Sequence, residues 1–157
     1  MIRIYYAAPL HKEEDQKRNA EYVSLLREEG YLVYLPQEAG VWEDLVNEEL
    51  KGRQELDFEQ AARIVRADLY VADKRAIDNC DIVVAYFGDR PPSEGGLWEM
   101  GYAVGRGKPV VLFNPHNWRF NLMPEYGSSM RTAWREVLDV VEDMHCNKEK
   151  LMKGWYK

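Results

Sequence analysis

Two short runs in the chain are apolar at every position: Ile82-Val83-Val84-Ala85-Tyr86-Phe87, and Val110-Val111-Leu112-Phe113 directly after Pro109. A strand with one wet face alternates apolar and polar residues, so an unbroken apolar strand must be covered on both faces. A parallel sheet between two layers of helices gives that cover. The rest of the sequence supplies the helices. Arg3 to Ala8 is rich in β-formers and stops at Pro9, which reads as a strand opening into a loop. From about His11 to Glu29, Ala20, Val23, Leu25 and Leu26 fall mainly at helical intervals, and Gly30 stands where a helix C-terminal glycine belongs. Tyr31 to Leu35 reads as a second strand, closed by Pro36. Ala39 to Lys51 is a helix or a lid segment, and Leu56 to Asn79 carries a long helical pattern. After the Ile82 strand, a helix is expected from about Ser93 to Gly105, and another from Thr132 to Met144 after the Pro109 strand. The order β-α-β-α-α-β-α-β-α, with no repeat and no low-complexity linker, predicts an α/β fold: an open, mostly parallel sheet with helices on both faces. At 157 residues the chain is expected to be one domain, 1–157.

Charge narrows the function. There are 21 Lys and Arg against 27 Asp and Glu, a net charge of −6. An acidic chain without clustered basic residues is a poor partner for a phosphate backbone, so no nucleic acid is expected. No apolar run approaches the roughly 20 residues that span a bilayer. The start, MIRIYYAAPL, lacks the pattern of a secretory signal. Cys80 and Cys146 stand without CxxC or Cys/His spacing, and His11, His116 and His145 are scattered. Neither a metal nor a cofactor is expected, and a reducing cytoplasm fits this cysteine usage.

Open α/β sheets bind ligands beyond the carboxyl ends of their strands, where the strand order reverses. The polar residues that reach that edge are Tyr5 or Tyr6, Gln37, Glu38, Asp89, Arg90, Ser93, Glu94 and Glu99. Glu99 lies in Gly95-Gly96-Leu97-Trp98-Glu99, with both glycines on its own helical face. Glycine costs a helix roughly 0.5–1 kcal/mol relative to alanine, so two beside a carboxylate suggest a ligand lying against that face. The competing reading makes the pair a turn and Glu99 a solvated residue. Asp73 lies on the helix that ends near Asn79, and six to eight residues of that helix climb back roughly 10 Å toward the ligand edge. Asp81 should lie near the opposite edge and orient the turn into the strand. Gly101, Gly105 and Gly107 fall within and after a helix rather than before it, and make no dinucleotide fingerprint.

Four segments, in order and spacing, resemble the nucleoside 2-deoxyribosyltransferases: Ile4-Tyr5-Tyr6-Ala7-Ala8-Pro9, the Asp73 and Asp81 pair, Gly96-Leu97-Trp98-Glu99-Met100-Gly101-Tyr102-Ala103 followed by Gly107-Lys108-Pro109-Val110, and Asn121-Leu122-Met123. The resemblance covers most of the chain. It implies a flavodoxin-like domain that cleaves the N-glycosidic bond of 2′-deoxynucleosides and passes deoxyribose to another nucleobase. By position Glu99 matches the family nucleophile, Tyr5 the tyrosine that holds it, and Asp73 the acid near the leaving base. Gln37 or Glu38 falls where the family contacts the base. Asn121 and Met123 match residues lent to a neighbouring subunit's site, which implies a homo-oligomer, a dimer or a trimer of dimers. Ser93 departs from the pattern, since the transferases usually carry there an Asp that holds the sugar 5′-hydroxyl. A related branch, the 2′-deoxynucleoside 5′-phosphate N-hydrolases, has serine at that position. That branch also has an Arg-bearing, Gly-rich loop after the first strand. Here the loop is Ala8-Pro9-Leu10-His11-Lys12, and Glu94 stands beside Ser93 to take over the hydroxyl contact or oppose a phosphate. The transferase is the favoured expectation and the hydrolase the alternative. A nucleotide- or flavin-sensing module would need a Ser-, Thr- and Gly-rich phosphate loop after the first strand, which Ala7-Ala8-Pro9-Leu10 does not provide.

Overall fold

The computed structural model describes residues 1–88 and 93–146. Among these residues five strands form one sheet: β1 (Arg3–Ala7), β2 (Leu32–Tyr34), β3 (Ile82–Tyr86), β4 (Val110–Phe113) and β5 (Ser129–Arg131). Their order is β2-β1-β3-β4-β5, and every pairing is parallel. This is the flavodoxin-like order, with its reversal between β1 and β3. Among the described residues, six helices connect or flank the strands: α1 (Glu13–Glu28), α2 (Trp42–Gly52), α3 (Phe58–Asn79), α4 (Glu94–Gly105), α5 (Leu122–Gly127) and α6 (Trp134–Cys146). The expected elements are all present. The Ala39–Lys51 stretch resolves into the end of a 3-10 turn, Pro36–Ala39, and α2. Two elements were not foreseen, α5 and β5. Ser-Met-Arg is a three-residue edge strand whose residues are only partly buried, so it lacks the apolar run that marks a central strand.

The period of two along each strand sorts the core into two layers. Ile4, Tyr6, Val84 and Tyr86 face α1 and α6, where Val23, Leu26, Val137 and Val141 meet them. Tyr5, Ala7, Val83 and Ala85 face the other way, toward Ile77 of α3 and Met100 and Ala103 of α4. This alternation explains why β3 and β4 are buried at every position. A third cluster lies off the sheet, where Val46 of α2 packs on Ala61, Ala62 and Val65 of α3. At 22 residues α3 is about 33 Å long, twice the span of a five-residue strand. Its carboxyl half covers the sheet, and its amino half is covered by α2. Asp57 and Gln60 close its start as a reciprocal capping box. Gly30 ends α1 at φ +87°, a left-handed turn in which the amides of Gly30 and Tyr31 bond Arg27 and Leu26 carbonyls. Among the described residues, no helix is long and apolar enough to cross a membrane.

Candidate active site

The site grows from one register match. Parallel pairing sets Tyr5 of β1 opposite Tyr34 of β2, and both side chains leave the sheet on the α3/α4 face. Their rings stack, with centroids 5.6 Å apart and planes 14° from parallel. The Tyr5 hydroxyl donates to Oε1 of Glu99 at 2.9 Å. The Tyr34 hydroxyl donates to Oδ1 of Asp73 at 3.1 Å. Two stacked phenols thus hold two carboxyl groups, one from α4 and one from α3. Tyr6, the other candidate on β1, points to the opposite layer.

Helix α4 brings Glu99 to this point. Ser93 is its N-cap, and Oγ accepts from the Gly96 amide at 3.1 Å. A Cβ on Gly96 would lie 2.5 Å from Cε1 of Phe87. Gly96 therefore lets α4 press against the end of β3, which corrects the expectation that both glycines open the helix face to a ligand. Gly95, by contrast, faces open space.

Burial shapes the electrostatics. Glu99 is pushed up to about 7, chiefly by loss of hydration; the Tyr5 bond opposes the rise and the charge of Asp73 adds to it. Asp73 is raised by burial and partly restored by the Tyr34 bond. Tyr34 is pushed up to about 12 by burial and by Asp73, and Tyr5 is raised by burial and by Glu99. Both phenols are therefore donors at neutral pH. The two acids compete for ionisation, the arrangement by which active sites separate an acid from a nucleophile.

The other expected site residues lie around this centre. Both oxygens of Glu38 are taken by the Arg27 guanidinium, at 2.7 and 2.8 Å, and that bond holds its carboxyl below the usual range. Gln37 accepts from Asn19 at 3.0 Å and donates to the Gln16 carbonyl at 2.8 Å. Among the described residues, the side-chain hydrogen bonds of both run to α1 rather than to the Glu99 group. Glu94 is exposed in the first turn of α4. Asn121 begins α5, and Met123 is 76% exposed on it, beside exposed Leu122 and Tyr126. Asp89 and Arg90 lie outside the described residues. Asp81 accepts from the Arg3 amide and guanidinium at the far end of β1, as expected of a residue that orients the turn. Sequence reasoning missed Tyr34. A tyrosine two residues before the proline that closes a strand was the available signal, but its register against Tyr5 was not legible.

A family model for nucleoside 2-deoxyribosyltransferase matches residues 4–152. The chain belongs to this family. Among solved structures it is similar to a 2-deoxyribosyltransferase of Bacillus psychrosaccharolyticus, with 29% identity, 86% of this chain and 89% of that one covered, and a TM-score of 0.67. Two more distant structures share the fold. A CMP N-glycosidase of Clostridium botulinum is 19% identical, with 89% and 98% covered and a TM-score of 0.52. A conserved protein of Enterococcus faecalis V583 is 18% identical, with 91% and 98% covered and a TM-score of 0.63. No curated protein matches the chain. Membership of the nucleoside 2-deoxyribosyltransferase family makes this an enzyme of N-glycosidic bonds, acting on nucleosides and nucleobases.

Proposed function

We propose that this single-domain protein is a nucleoside 2-deoxyribosyltransferase that works through a covalent deoxyribosyl-Glu99 intermediate. The observation that carries the reading is the Glu99 carboxyl held at 2.9 Å by Tyr5 while Asp73, pushed toward its neutral form, shares the cleft. Ionised Glu99 attacks C1′ of a 2′-deoxynucleoside. The C1′–N bond breaks with its electron pair passing to the base, and in the reactive protonation state, in which the proton of the coupled pair sits on Asp73 and Glu99 is ionised, Asp73 gives that nitrogen its proton. The transition state has oxocarbenium character, as in glycoside hydrolysis. A second base then attacks C1′ from the vacated side, returns its proton to Asp73, and releases Glu99. Two displacements retain configuration at C1′. If water takes the place of the second base, the same site is a hydrolase.

Gln37 is the residue of the pair best suited to the base. Its amide retains one hydrogen and one acceptor lone pair beyond its bonds to α1, whereas Arg27 occupies both oxygens of Glu38. Ser93 and Glu94, at the start of α4, face the sugar 5′ end; the Glu94 carboxylate favours a hydroxyl there over a phosphate. Asn121 and the exposed Met123 complete the site of a neighbouring subunit in a homo-oligomer.

The test is incubation with 2′-deoxyinosine plus adenine, and separately with each deoxynucleoside 5′-monophosphate, with products separated by chromatography. Formation of 2′-deoxyadenosine and hypoxanthine is expected. Cleavage of the monophosphates in preference to the free nucleosides, lost in Ser93→Asp, would replace the transferase by the 5′-phosphate hydrolase.

A further inference from the structure

Tyr34 stands outside every motif that marked the site, yet it joins both halves of it. Its ring lies against Tyr5, which holds Glu99, and its hydroxyl reaches Asp73. Tyr34 is only partly buried, on an edge strand. Water could satisfy its hydroxyl, so desolvation alone does not demand the bond to Asp73.

We infer that Tyr34 is a positioning residue for the leaving-group acid: by occupying Oδ1 of Asp73 it fixes the carboxyl plane and leaves the transferable proton on Oδ2, while its ring keeps Tyr5 and Glu99 in register with that acid. The inference rests on the transferase reading. During the first displacement the Oδ2 proton passes to the base nitrogen as the C1′–N bond breaks and the bond from Glu99 to C1′ forms. Asp73 is left as a carboxylate with the Tyr34 O–H still directed at Oδ1, where a hydrogen bond to a charged acceptor is strongest. The incoming base returns the proton to Oδ2 in the second displacement. The groups that face Asp73 are Tyr34 from β2, Tyr5 from β1 and Glu99 from α4. On α3 itself, Lys74 turns to the Tyr102 ring, 5.2 Å away, and to Asp78.

The deciding experiment is the pH dependence of kcat in Tyr34→Phe, which keeps the stacked ring and removes the donor. A fall in kcat of roughly 100-fold with KM little changed is expected, the scale of a misdirected general acid. The alkaline limb should move up by about one pH unit, because the Asp73 carboxylate loses a bond that stabilises it. In an Asp73→Asn background the same change should cost less than about threefold, since the two residues act as one unit. With 4-nitrophenyl 2-deoxyriboside, whose leaving group departs without a proton, the Tyr34→Phe defect should shrink to within a few-fold. A merely structural tyrosine would slow both substrates equally and would move no limb. Single-site incorporation of 3-fluorotyrosine at position 34 gives a check that does not depend on the fold surviving Tyr34→Phe. A more acidic phenol is a stronger donor and should shift the alkaline limb downward. Tyr34→Phe at parental kcat with an unmoved limb, an unmoved limb on fluorination, or full additivity with Asp73→Asn each overturns the inference while the transferase reading stands. A parent enzyme that transfers no deoxyribose between bases overturns both.

Discussion

A buried carboxyl kept half-protonated at neutral pH should cost the fold stability, and the cost is measurable through Glu99→Gln. Glutamine matches glutamate in size, and its amide oxygen can still accept from Tyr5, so the substitution removes a charge and little else. Glu99 is held near pH 7 against an ordinary value of 4.5, so the fold binds its proton between a hundred and a thousand times more tightly than the unfolded chain does. At about 1.36 kcal/mol per factor of ten, this amounts to roughly 3 kcal/mol. The sign follows from which state ionises first. Below about pH 4.5 the residue is protonated in both states, and parent and variant should differ little. Between there and pH 7 the unfolded chain gives up the proton while the fold retains it, and the parent loses stability. Above pH 7 the fold carries the buried charge and the whole penalty is present. At pH 8, therefore, Glu99→Gln should be more stable than the parent by about 3 kcal/mol, a rise in Tm of roughly 6–12 °C for a chain of this size. Urea titrations of both proteins at pH 8, 6.5 and 4.5 measure the difference directly. An advantage that is absent at pH 8, or that does not fade toward pH 4.5, would refute the claim that burial sets the state of this carboxyl. The same protein should have lost turnover by several orders of magnitude, the expected effect of removing a covalent nucleophile.

Asp73→Asn removes a negative charge that raises Glu99, so in an Asp73→Asn background the pH at which the stability advantage of Glu99→Gln sets in should move lower; an unmoved or raised onset in the same urea titrations would contradict the coupling. Gly96→Ala places a methyl 2.5 Å from the Phe87 ring and should destabilise the fold by about 1–3 kcal/mol, whereas Gly95→Ala, which meets open space, should be neutral or stabilising in the same denaturant titration. Mixing Glu99→Ala with Asn121→Ala protomers should restore part of the activity if Asn121 completes a neighbouring site, and no recovery despite demonstrated subunit exchange would confine the site to one chain.

The chain's own pattern determined the parallel sheet. Ile82–Phe87 and Val110–Phe113 admit no solvated face, and a parallel strand pair needs a crossover, so the helices between the strands follow from the strands themselves. Local chemistry was equally legible where it is short-ranged: Gly30 ends α1 in the left-handed turn, and α4 begins directly after Ser93, where a helix start was expected. Glu99 and Asp73 were found because helical spacing and the geometry of open sheets place them near one edge. Their partnership was not, because it passes through Tyr34, and the stack of Tyr34 on Tyr5 depends on which strands pair and in what register. That register is the outcome of the whole core packing at once, and no window of sequence contains it. The two glycines before Glu99 teach the same lesson. In the sequence they are equivalent, but Phe87 closes over one and not the other, so a single helix–strand contact gives them different tasks. Short β5 and α5 escaped detection because three partly buried residues, or six mostly exposed ones, carry no period, and neighbouring strands and helices alone hold them in place. Residue type and spacing fixed which groups were available for chemistry; burial and cross-strand register, properties of the folded chain only, decided which carboxyl is held, by which phenol, and at what proton affinity.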